Sequence, residues 1–137
     1  MRVMIVEEDG LLALDLEQTL RMGEHTIIGP APSADKAREL ATTDKPDLVL
    51  IDICLADGDT GPSLARELWE RYEVPSLFLT ANMQEGPDYT EAALGILAKP
   101  VSPKSLLRSI NVVRRIMCDE PVTSKDVPDG LHLFVAL

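Results

Sequence analysis

The sequence predicts an α/β fold, a parallel sheet covered by helices on both faces, and three observations predict it. Five short apolar runs bounded by polar or turn residues read as strands: Val3–Val6, Thr26–Ile28, Leu48–Ile51, Ser76–Leu79 and Gly95–Ala98. Hydrophobic residues recur at helical spacing in the intervals between them. Strand and helix therefore alternate, which requires crossovers of one hand and strands that all point the same way.

Each element has its own signal. After the first strand come three acids, Glu7-Glu8-Asp9, and then Leu12, Leu16 and Leu20 at a spacing of four, one face of a helix. Ser33 is placed to cap a second helix whose inner face is Ala37, Leu40 and Ala41. The third strand ends in Asp52. The third helix starts near Pro62, a favoured first-turn residue, and directs Leu64, Ala65, Leu68 and Tyr72 inward; Trp69 is expected to pack as well. Asp57-Gly58-Asp59-Thr60-Gly61 reads as a turn, because it lacks the later Glu of a calcium loop. Beyond Thr80 a Gly86-Pro87 pair opposes continuous helix, leaving Pro87 to Leu94 for a short fourth helix. The fifth strand ends at Lys99-Pro100. Ser102-Pro103 opens the last helix, with Leu106, Ile110, Val113 and Met117 along one side.

The 137 residues suit one domain, read as residues 1–117, followed by an extension over 118–137. That extension is a polar loop over Asp119 to Gly130, then an apolar stretch Leu131 to Leu137 expected to pack back on this domain rather than to serve as a dimer strand. Hydrophobic residues make up 45% and charged ones 26%, and no apolar stretch could span a bilayer. The first residues lack a signal-peptide cleavage site, so the chain is expected in the cytoplasm. A formal net charge of −10 repels phosphate backbones and argues against nucleic acid. Cys54 and Cys118 lack metal spacing and read as thiols, and His25 and His132 as ordinary strand or tail residues.

Five alternating units favour the strand order 2-1-3-4-5 of flavodoxin-like sheets, which sets the acids after the first strand beside Asp52 after the third. Thr80 and Lys99 fall on the same edge. Neighbouring carboxylates repel unless a countercharge is present, and hard oxygen donors select Mg²⁺ or Mn²⁺. An ammonium and a hydroxyl beside such an ion suit phosphoryl transfer, with Asp52 as the nucleophile and an acyl phosphate as the product. Taken singly, each signal has a plainer reading: a helix entrance for the acids, a turn for Asp52, a cap for Thr80. Four coincidences on one edge favour the joint reading.

In these residues the chain, from residue 1 to about Met117, resembles the receiver domain of two-component response regulators. The resemblance implies that Asp52 is the phosphoacceptor, Thr80 the switch hydroxyl and Lys99 the phosphate-contacting lysine, with Lys99-Pro100 in cis. It also implies a metal held by Glu8, Asp52 and the backbone carbonyl of Cys54, with Glu7 in the adjoining acidic position. The expected donor is a histidine kinase or a histidine phosphotransfer protein. The expected output is a downstream protein or a homodimer, engaged through the face formed by the fourth helix, strand five and the last helix. With no effector domain recognisable after Met117, the reading is a signalling domain rather than an enzyme. Two departures stand out: Glu8 replaces the usual Asp, and Ile96 replaces the aromatic switch residue three before the lysine. They leave open a degenerate receiver that acts as a phosphorylation-independent interaction module. A haloacid-dehalogenase-like phosphatase is disfavoured because Cys54 stands where it needs a second Asp. Flavin binding is disfavoured by the acids after the first strand.

Overall fold

The computed structural model describes residues 1–55, 60–81 and 93–134. In chain order the elements are β1 (Arg2–Val6), α1 (Gly10–Met22), β2 (Thr26–Ala31), α2 (Ala34–Thr43), β3 (Leu48–Asp52), α3 (Thr60–Tyr72), β4 (Ser76–Thr80), β5 (Ala93–Ala98), α4 (Pro103–Met117) and β6 (Leu131–Leu133). The strands form one sheet in the order β2-β1-β3-β4-β5-β6, parallel throughout the first five, as expected, with β6 antiparallel on β5. Leu131–Leu133, from the apolar stretch near the chain's end, thus pack back on the sheet, pairing Gly95 with Leu133, Ile96 with His132 and Leu97 with Leu131.

Side-chain alternation along the strands divides the core in two. Val49 and Ile51 of β3 point to the face covered by α2 and α3, where Ala37, Leu64 and Leu68 meet Phe78 and Ile96. Leu48 and Leu50 point to the opposite face, against Leu16 and Leu20 of α1 and Leu106, Ile110 and Val113 of α4. Because β3 and β4 are covered on both sides, every residue in them is buried, and their sequences LVLID and SLFLT are apolar runs without polar alternation. Helix entrances follow their capping residues: Asp9 accepts the Leu11 and Leu12 amides, Ser33 that of Lys36 and Ser102 that of Ser105.

Two expectations about position need correction. Tyr72 and Trp69 are 37% and 46% exposed, so neither belongs to the core. Trp69 lies off the Leu64-Ala65-Leu68 stripe, and Tyr72, although on it, ends α3 at the amino edge of the sheet where nothing covers it fully. Ala93 and Leu94, assigned to a short fourth helix, are strand residues; Pro87 to Ala92 and the Asp57 to Asp59 turn lie outside the described residues, as do Val135 to Leu137. Within the expected polar loop there is a single 3₁₀ turn, Ser124–Asp126, and the Thr123 amide donates to Asp126 Oδ2 at 2.9 Å.

Candidate functional site

Parallel register carries the polar strand ends to one edge. Val6 pairs with Ile51, Asp52 with Leu79 and Thr80 with Ala98, and the Lys99 amide donates to the Thr80 carbonyl at 2.8 Å. From there the Lys99 ammonium reaches back across β4 and β3. Its Nζ lies 2.9 Å from Asp52 Oδ2 and 3.1 Å from Glu7 Oε1. The other Asp52 oxygen, Oδ1, accepts the Cys54 amide at 3.0 Å, a short local turn that aims the carboxylate outward along the strand. Asp52, Glu7 and Thr80 are all buried, Asp52 the least deeply at 9% exposed. The Lys99-Pro100 bond is cis, as the resemblance implies.

The acidic triplet divides its labour. Glu7 turns inward to Lys99, Glu8 is exposed and Asp9 caps α1. Ile96 is fully buried in the α2/α3-side core with Phe78, its register partner on β4. Cys54 and Cys118 are exposed thiols. Among the described residues, no group of three or more His, Cys, Asp or Glu side chains converges as a preformed metal cage. None of the described helices is long and apolar enough to cross a membrane.

Sequence reasoning missed Gly61. A Cβ there would come within 2.8 Å of the carbonyl oxygens of both Asp52 and Ile53, so only glycine lets the first turn of α3 press against the strand end that carries Asp52. Its one sequence signal was its place in the Asp57 to Gly61 run, which turn chemistry already accounted for.

Burial and charge set the protonation states. Glu7 is pushed up to about 7, first by burial and then by Asp52, to which a protonated Glu7 can donate; Lys99 offsets part of this. Oε2 of Glu7 is buried and accepts no hydrogen bond. For Asp52, burial opposes ionisation, but hydrogen bonds from Glu7, Lys99 and the Cys54 amide outweigh it and hold the carboxyl below its usual range. Lys99 is likewise desolvated, yet the two carboxyl groups raise its affinity for a proton. The result is an ionised, partly open carboxylate held by an ammonium, beside a second carboxyl poised near neutrality.

Comparison with known proteins points the same way. The sequence pattern of the response regulator receiver domain matches residues 3–111. The chain is 35% identical over 107 residues to the phyllosphere-induced regulator PhyR of Methylorubrum extorquens, covering 76% of this chain and 40% of that protein. It is 34% identical over 116 residues to the transcriptional regulatory protein PdtaR of Mycobacterium tuberculosis, covering 81% of this chain and 55% of that one. The chain thus spans about half the length of these relatives. The solution structure of the receiver domain of the Erythrobacter litoralis PhyR response regulator superposes with a TM-score of 0.74 at 29% identity, covering 89% of this chain and 95% of that one.

Proposed function

The chain belongs to the response regulator receiver family, and from that premise we propose that it accepts a phosphoryl group on Asp52 from a histidine kinase or histidine phosphotransfer protein and signals by phosphorylation-dependent protein contact. The observation that carries this reading is the contact of Lys99 Nζ with Asp52 Oδ2 at 2.9 Å, at the carboxyl end of a buried strand. A carboxylate oxygen of Asp52 attacks phosphorus, the bond from phosphorus to the donor imidazole breaks, and an acyl phosphate forms. Lys99 follows the negative charge onto the phosphoryl oxygens, and Thr80, at the end of the adjacent strand, supplies the hydroxyl. Nothing in this chemistry turns over a substrate, so the protein acts as a signalling domain.

The residues fit Mg²⁺ or Mn²⁺ by their own chemistry. Hard carboxylate oxygens, among them a buried Glu7 oxygen that accepts no hydrogen bond, suit an ion that keeps most of its waters. Asp52, Glu8 and the Cys54 carbonyl would hold it, with Glu7 behind them. When bound, such an ion neutralises carboxylate charge and that of the incoming phosphoryl oxygens.

The phosphoryl group adds about 1.5 to 2 negative charges at Asp52, a local change that shifts a two-state domain toward the form its partner binds. Output through protein contact, with a downstream target or a second copy, follows from that logic; of the face expected for it, the fourth helix falls outside the described residues, and β6 pairs the outer edge of β5 beside α4. The cytoplasm is the compartment in which a kinase donor and a negatively charged regulator would meet.

The outward position of Glu8 and the buried, aliphatic Ile96 favour one second reading, an interaction module that works without phosphate. Incubation with acetyl phosphate and Mg²⁺, followed by intact-mass measurement, separates the two. The phosphoacceptor reading expects one added phosphoryl group on the wild type and none on Asp52→Asn. A wild type that stays unlabelled, even with its cognate kinase, leaves the module reading.

A further inference from the structure

β5 carries Lys99 to the site, and its two edges are held by different parts of the chain. Along the inner edge β4 pairs from Ser76↔Ala93 to Thr80↔Ala98. Along the outer edge, among the described residues, the C-terminal segment is the partner: the Phe134 amide donates to Leu94 O and the Ala98 amide to Gly130 O, both at 2.9 Å, with β6 between them. These bonds stop one residue short of Lys99. Gly95 sets how closely the two strands approach, because a Cβ there would lie 2.7 Å from the His132 carbonyl oxygen and 3.3 Å from Leu133 Cα.

The segment is also moored on its far side. Leu131 is buried against the α1 and α4 face, Ser105 Oγ donates to the Asp129 carbonyl at 3.4 Å, and Arg115 meets Asp126 at 3.6 Å. Asp129 and Gly130 form one wall of a cavity of about 480 Å³ whose other walls include Lys99, Ser102, Lys104 and Arg108. The segment therefore lines the same cavity as Lys99.

We propose that β6 and the Gly130 turn form a strap that positions Lys99: by pairing the outer edge of β5 up to Ala98, the strap fixes the backbone from which the ammonium reaches Asp52 and Glu7. An unpaired edge strand frays at its end, and displacement of a catalytic group by about 1 Å can lower a rate roughly a hundredfold. A strand of three residues is a marginal element, easily detached, so the strap is also a place where a modification or partner can act on the site from outside. The consequence for labelling rests on the phosphoacceptor reading of Asp52; the positional claim does not.

Two full-length variants test it. Gly95→Val pushes β6 off from the β5 side, and His132→Pro removes a ladder donor from the β6 side. Both should abolish amide-exchange protection at Ile96 and Ala98, leave the β1 and β3 amides protected, and shift or broaden the Lys99 Nζ resonance. Labelling of Asp52 by acetyl phosphate should slow about tenfold or more, while in a Lys99→Ala background the same changes should slow it less than about twofold further. Equal losses with and without Lys99, or an unchanged labelling rate once β6 is free, would overturn the strap. If the wild type takes no label at all, the phosphoacceptor reading fails by itself, and an Nζ resonance unmoved by detachment of β6 would then overturn the strap separately.

Discussion

At the carboxyl end of β1, β3 and β5, Lys99 joins Glu7 and Asp52 through charge, with side chains 0% and 12% exposed on the acidic side. Along the outer margin of the same β5, Leu131 to Leu133 hold by a short backbone ladder and apolar contact. The first region has little slack, since each buried charge depends on the others; the second loses its contacts by degrees.

The contrast is sharpest at Lys99. Lys99→Ala strands two acidic groups without their cation, and unfolding by urea should show a loss of about 3 to 4 kcal/mol, alongside labelling of Asp52 slowed on the order of a hundredfold but still measurable. A loss below about 1 kcal/mol would place the ion pair with ordinary surface pairs and break the comparison.

Next comes pH. Glu7 is raised from 4.5 to about 7 in the folded protein, so the folded state binds its proton more tightly than the unfolded state does. Its contribution to stability is therefore full below pH 4.5 and is lost as pH rises through about 7, by about 3 kcal/mol. Asp52 moves the opposite way and stays ionised across this window. Urea titrations between these pH values should show the slope in the wild type and lose it in Glu7→Gln.

At the outer margin, Leu131→Ala should cost about 2 kcal/mol, the low end for a buried leucine, because a three-residue edge strand can settle into the space left. A loss as large as that of Lys99→Ala would mean that the margin is as rigid as the site. The smallest effect is expected at the α2 to α3 contact, where Arg38 and Glu67 pair at 3.0 Å with both side chains about a third exposed. Arg38→Ala should change stability by less than about 1 kcal/mol, and raised salt should shrink even that.

Much of this molecule was legible beforehand. Continuous apolar runs announced β3 and β4, Ser33 and Ser102 announced two helix starts, and polar residues at strand ends announced the edge where Glu7, Asp52 and Lys99 meet. Legibility failed where a residue's role depends on distant neighbours. Tyr72 has the spacing of a core residue, but α3 ends where the sheet beneath it begins. Gly61 reads as part of a turn, and only the closeness of the Asp52 carbonyl shows why it must be glycine.

By itself the sequence determined the alternation of strands and helices and the edge on which acid, hydroxyl and amine would gather, because strand direction follows from crossover rules that act locally. The tertiary structure alone decided that Glu7 turns inward while Glu8 faces water, and that Leu131–Leu133 pair with β5. The physical reason is the same in both cases. Where a strand gives way to a turn its two-residue periodicity lapses, and a short apolar segment fits whichever open sheet edge lies within reach.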